Sequence, residues 1–243
     1  MTDAEVALVG GNVNAVVRAG DTVRRTAGPW TPTIQALLAW VRAHGVDGVP
    51  TPLGLDAQGR EVLTYLPGVV GQGPEGGWVW PPSVLRDAAR LLRAWHDASA
   101  GFPRDGAVWR LPAHEPDEVV CLNDVAPYNM VGGDGGLVGF IDVDMASPGP
   151  RVRDLAYLAY RLCPFAEDAS APAGIHPSQR LDDLVAAYGA EDGPTADAVL
   201  AAIPPRLREL AEWTEAHAAS TGRADLRDHA AMYRRDATRL AAR

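Results

Sequence analysis

Apolar positions along this chain change their period. Val6–Val9 is a short apolar run, Gly10-Gly11-Asn12 a turn signal, and Asn14–Arg18 resumes with Val16 and Val17. Ala19-Gly20-Asp21 then turns into the β-branched segment Thr22–Thr26, so the start of the chain reads as strands. Thr31-Pro32 offers a capping hydroxyl followed by proline at the first helical position, and Ile34, Leu37, Leu38 and Val41 follow at helical spacing as far as Gly45. A second hairpin is predicted from Pro52–Leu55, the turn at 56–59 and Glu61–Leu66. Residues 68–82, rich in Gly, Pro and Trp, read as a loop whose Trp78 and Trp80 are expected to be exposed. Beyond it helices dominate: Ser83–Ala98, Arg151–Leu162, Ser178–Tyr188, Thr195–Ile203, Pro205–Ala219 and Ala224–Arg243. Between them, Val119–Val143 holds two apolar runs around Gly132-Gly133-Asp134-Gly135-Gly136, a hairpin that ends a buried strand at Asp142.

This order predicts an α+β chain in two parts, a small antiparallel sheet with one helix over 1–67 and a mainly helical part over 68–243. The 243 residues suffice for one sizeable core or two modest ones, and 47% hydrophobic with 22% charged residues is ordinary globular composition. The acidic start Met-Thr-Asp-Ala-Glu lacks the pattern of a signal peptide, and no apolar run reaches the roughly 20 residues that span a bilayer. A cytoplasmic protein without a membrane partner is therefore expected. A net charge of -9 disfavours nucleic acid as a partner and suits a cationic small molecule. The two cysteines, Cys121 and Cys163, support neither a disulfide framework nor a zinc site. There is no lysine at all, so every fixed cation is an arginine.

The chemistry concentrates in Cys-Leu-Asn-Asp-Val-Ala-Pro-Tyr-Asn-Met (121–130) and Gly-Phe-Ile-Asp-Val-Asp (139–144). Pro127 forbids a continuous helix between Asp124 and Asn129, so this segment must be a loop with defined turns. An Asp, an Asn five residues on, and an Asp at the end of the next strand are what phosphoryl transfer requires. Asp124 can orient a hydroxyl, while Asn129 and Asp142 offer hard oxygen ligands to Mg²⁺. Asp144 is expected on the same side as Asp142 if the strand continues.

These segments resemble the aminoglycoside phosphotransferase/choline kinase superfamily, whose pattern is His-x-Asp-x-x-x-x-Asn, a hairpin, Ile-Asp, and a downstream Asp-Leu-Ala. Here they read Leu122-Asn123-Asp124 to Asn129, Ile141-Asp142 and Asp154-Leu155-Ala156. The resemblance implies a two-lobed protein-kinase-like fold and transfer of the γ-phosphoryl group of Mg²⁺-bound ATP, or GTP, to the hydroxyl of a small molecule. It makes Asp124 the catalytic base, Asn129 and Asp142 the metal ligands, and Asp154 a brace for the catalytic loop. It also implies a phosphate-gripping cation on the third strand, Arg24 in preference to Arg25, and a helix Glu to pair with it. None exists between residues 26 and 60, where Gln35 is a neutral stand-in. Gly11 and Asn12 would cover the phosphates, and the backbone of Tyr65 and Leu66 would meet the base, with Leu63 beside it. The motif's His is replaced by Leu122, which can supply its packing but not its hydrogen bond. Glu209, Glu212 and Glu215 repeat at one-turn intervals, as a solvated stripe or a seat for ammonium groups. Two rival readings are a relative that binds nucleotide without catalysis, and a metabolic kinase acting on choline, a sugar or an amino alcohol.

Overall fold

The computed structural model describes residues 4–8, 16–73, 75–133, 135–189 and 191–242. It packs as two compact units, 1–150 and 151–243. The expected boundary at 67/68 falls inside the first.

The first unit opens with strands β1 (Val6–Leu8), β2 (Val16–Ala19) and β3 (Thr22–Arg25), then helix α1 (Thr31–Ala43), β4 (Pro52–Leu55) and β5 (Glu61–Thr64). The strands form an antiparallel sheet in the order β1-β2-β3-β5-β4. In β3, Arg24 lies opposite Val17 and Val62, and Arg25 opposite Val16 and Glu61. The predicted stripe Ile34, Leu37, Leu38 and Val41 is the buried face of α1.

The segment read as a loop contains a short strand, β6 (Val69–Val70), and a 3₁₀ turn at Gly76–Val79. Trp78 is buried, not exposed: its ring lies on Gly132, where a Cβ would sit only 2.5 Å from it. Helix α2 (Pro82–Ser99) buries Leu85, Ala88, Leu92 and Trp95. The Trp95 indole donates to the Val120 carbonyl at 2.7 Å, anchoring strand β7 (Val119–Cys121) against the helix.

The hairpin β8 (Met130–Gly133) and β9 (Gly136–Phe140) pairs Met130 with Phe140 and joins β6 in a three-stranded sheet. Gly139 permits a close backbone approach, because a Cβ there would lie 2.4 Å from the Gly48 carbonyl. Strand β10 (Ser147–Gly149) returns antiparallel to β7, with Ser147 opposite Cys121. This ladder brings the residues just after 121 and just before 147 together.

The second unit comprises α3 (Arg151–Leu162), α4 (Pro177–Gly189), α5 (Ala196–Thr221) and α6 (Asp225–Ala241). Here the structure corrects a sequence expectation: α5 runs through Pro204 and Pro205 as one helix. An internal proline costs about 3 kcal/mol of helix stability. Burial of Ile203, Pro204 and Leu207 around the break offsets it. Asp236 of α6 is fully buried and accepts from the Tyr160 hydroxyl at 2.7 Å and the Glu167 amide at 2.9 Å. Burial raises the Cys163 thiol to about 12. Among the described residues, no helix is long and apolar enough to cross a membrane.

Candidate active site

The chain leaves β7 through Leu122 and Asn123, both buried. Asn123 adopts φ 63°, a left-handed conformation that Asn tolerates better than most residues. Its amide donates to the Met145 carbonyl and to Ser147 Oγ, both at 2.9 Å. The loop is thus tied to the segment following Asp144. Leu122 is buried and supplies packing, while Asn123 beside it makes the hydrogen bonds that hold the loop. Asn123→Ala is expected to destabilise the protein by about 1–3 kcal/mol, the cost of stranding buried polar partners, measured by chemical denaturation.

Beyond Asn123, Pro127–Asn129 forms a single 3₁₀ turn, the break that proline dictates. The Asp124 carboxylate is held on both oxygens: Tyr128 Oη donates to Oδ1 at 2.5 Å, and Asn129 Nδ2 to Oδ2 at 2.9 Å. Asn129 Nδ2 also reaches the Asp124 main-chain carbonyl at 2.9 Å. With its nitrogen so committed, Asn129 offers Oδ1 as its remaining polar group. The Ile141 amide donates to the Asn129 carbonyl at 2.9 Å, which sets the end of β9 beside this turn.

The strand ends at Phe140 and does not continue through Asp142. Asp142 is left-handed at φ 59° and Val143–Met145 is a 3₁₀ turn, yet Asp142 and Asp144 converge on one cation. That cation is Arg25. Its Nη1 meets Asp142 at 2.8 Å, its Nη2 meets Asp144 at 2.5 Å, and its Nε meets Glu61 at 2.5 Å. Arg25, Glu61 and Asp144 are buried, whereas the Asp142 side chain is 43% exposed. Burial pulls the Arg25 guanidinium toward neutrality, but Asp142, Asp144 and Glu61 together outweigh it and raise its pKa. Asp144 goes the other way from an ordinary ion-paired carboxylate. Its burial dominates over the attraction of Arg25 and pushes it up to about 6.

The preference for Arg24 is therefore reversed. Arg24 points to the opposite face of β3, where its nearest carboxylate is Asp56 at 3.6 Å. A signal in the strand could have shown this, because Arg25 alternates with Val23, the apolar residue whose face must be covered. Glu61 lies one residue beyond the stretch 26–60 that lacks a Glu, and on a strand instead of a helix. Gln35 does not pair with the arginine; its Nε2 donates to Glu61 Oε1 at 2.7 Å.

Arg25, Tyr65, Leu66, Tyr128, Asn129 and Asp142 line one cavity of about 340 Å³. Val16, Val23, Leu63, Val131 and Ile141 give it apolar walls. The Tyr65 amide is spent on the Asp21 carbonyl at 2.8 Å, and its ring lies 3.9 Å from the Arg18 guanidinium. Of the two expected hinge amides, Leu66 is the one without a backbone partner among the described residues. Asp124 sits behind Tyr128 and Asn129, and Arg24 is not among the lining residues. Gly11 and Asn12 lie outside the described residues.

Residues 106–202 match the family model described as the phosphotransferase enzyme family. A trifolitoxin immunity protein from Rhizobium leguminosarum bv. trifolii is 34% identical over 152 residues, which cover 59% of this chain and 56% of that protein. The chain thus spans little more than half the length of this relative. An aminoglycoside 2'-phosphotransferase-IIIa, solved as its GDP complex, superposes with a TM-score of 0.69 at 14% identity, covering 98% of this chain and 94% of that one. A choline/ethanolamine kinase family protein from Mesorhizobium loti gives 0.65 at 18% identity, over 98% and 87% of the two chains. With its antiparallel sheet first and its helices after, the chain has an α+β protein-kinase-like fold, and its residues 106–202 are similar to the phosphotransferase enzyme family.

Proposed function

We propose that this protein transfers the γ-phosphoryl group of a nucleoside triphosphate to the hydroxyl of a small molecule. The observation that carries this reading is the convergence of Arg25, Asn129 and Asp142 on one cavity, with the Asp124 carboxylate held directly behind Asn129. The cavity's branched aliphatic walls suit the faces of a planar base, and the Leu66 amide suits its polar edge.

Asn129 Oδ1 and the exposed Asp142 carboxylate are hard oxygen donors of two residues lining one cavity, a set that fits Mg²⁺. They are the residues that would hold the ion. Bound Mg²⁺ neutralises phosphate charge and keeps the triphosphate in one orientation. Arg25 adds fixed positive charge beside Asp142, and Asp124 accepts the proton of the acceptor hydroxyl. Positioning and charge stabilisation, not covalent chemistry by the protein, would provide the rate.

The expected acidic stripe is partly engaged, since Glu209 is paired with Arg153 at 2.5 Å and Glu215 with Arg234. The relative named for trifolitoxin immunity supports a second reading, in which the substrate is a toxin and not an aminoglycoside or a choline-like alcohol.

The direct test is binding. Mg²⁺ with a nonhydrolysable ATP or GTP analogue should raise thermal stability, by about 2.7 kcal/mol at a ligand concentration one hundred times the dissociation constant. Asp142→Asn keeps the size and the left-handed tolerance of the residue but removes charge, and should abolish the Mg²⁺ dependence. No response to either nucleotide would sink the proposal.

A further inference from the structure

Resting on the phosphotransferase reading, we propose that the Tyr128 hydroxyl occupies the hydrogen-bonding position at Asp124 that an acceptor hydroxyl must take. Tyr128 is thereby the residue that decides which hydroxyls, water included, reach the base. An ionised carboxylate only accepts hydrogen bonds, so any acceptor must approach Asp124 as a donor. Tyr128 Oη already does so, at 2.5 Å from Oδ1, the separation of a charge-assisted O–H···O⁻ bond. The second carboxylate oxygen is held by the Asn129 amide, which fixes the plane of the group and the direction from which Oδ1 is approached.

The arrangement is specific to this turn. Pro127 and the Asn129 amide-to-Ala126 carbonyl bond at 2.8 Å set the backbone on both sides of Tyr128. Only the two side-chain torsions of the ring remain as freedom. The ring also lines the cavity that holds Asn129 and Asp142, so it stands between that cavity and the base. An acceptor offering a well-placed donor can replace the phenol and restore the lost hydrogen bond. Displacing the phenol costs a water and a substrate alike, but only a bound substrate brings binding energy from its other contacts to offset that cost, so Tyr128 favours bound substrate over solvent.

The test compares Tyr128→Phe with the unaltered protein in Mg²⁺ and ATP or GTP, with no acceptor added. Removing the hydroxyl while keeping the ring should raise kcat for nucleotide hydrolysis about tenfold, the worth of one hydrogen bond to a charged group. KM should hold, and displacement of a fluorescent nucleotide analogue should report unchanged affinity. Tyr128→Ala should hydrolyse at least as fast, and adding Asp124→Asn to Tyr128→Phe should remove the gain. Hydrolysis that is unchanged, reduced or undetectable in Tyr128→Phe, with affinity retained, overturns the proposal. So does lost affinity, which would mean that the Tyr128 hydroxyl serves the nucleotide and not the base. Failure of the unaltered protein to displace the analogue overturns the phosphotransferase reading itself.

Discussion

Asp124→Asn is expected to lower phosphoryl transfer by about 10²–10⁴-fold, the usual contribution of a positioned general base, while Mg²⁺-nucleotide affinity stays near normal. Asn is chosen over Ala because of what surrounds the carboxylate. Asp124 accepts from Asn129 Nδ2 and from Tyr128 Oη, so Ala would leave both donors unpartnered and release Asn129. An Asn at this position can turn its oxygen to Asn129 and its nitrogen to the Tyr128 oxygen, since a phenol both donates and accepts. The shape and the metal-facing turn are kept, and only the proton acceptor is lost. Transfer and affinity measured side by side separate the outcomes. Full activity in Asp124→Asn would refute the role assigned to Asp124, and collapse of both activity and affinity would show that the residue is structural.

Arg25→Met should destabilise the fold by about 3–5 kcal/mol, the penalty for stranding buried charges. Glu61 is 1% exposed and Asp144 2%, and Arg25 lies within 2.5 Å of both. With the guanidinium gone, two carboxylates would be buried beside a thioether. Arg25→Lys should recover part of the loss, because an ammonium carries the charge but lacks the planar fork that serves three carboxylates at once. Arg24→Met provides the contrast. Its 3.6 Å contact with Asp56 is partly solvated, so a change of at most about 1 kcal/mol is expected. Chemical denaturation of the three variants decides between the arginines, and equal losses at 24 and 25 would contradict the geometry.

Much of the site could be read from residue order. Asp124 and Asn129 belong to one turn and Asp142 ends the next hairpin, so their proximity follows from local rules about proline, glycine and strand period. The helical stripes of α1 and α2 were legible for the same reason, since burial of one face imposes a period on the sequence. Where local rules met a long-range partner, the reading failed. Trp78 looked exposed because its loop is rich in glycine and proline, but Gly132 from a distant strand leaves room for its ring. Pro204 and Pro205 looked like a helix break, until burial of their neighbours outweighed the lost hydrogen bonds.

By itself the sequence determined the strand-then-helix order, the hairpin that carries Asp142, and the spacing that sets a carboxamide between two carboxylates. All of these depend on residues near one another in the chain, whose backbone preferences act before any packing. Only the tertiary structure decided that Arg25 and not Arg24 faces the cavity, that Glu61 anchors it, that Asn123 ties the loop to Ser147, and that Tyr128 stands at the base. Those choices depend on which polar groups are buried together, and a buried charge takes whatever partner the fold brings within reach, however distant in sequence.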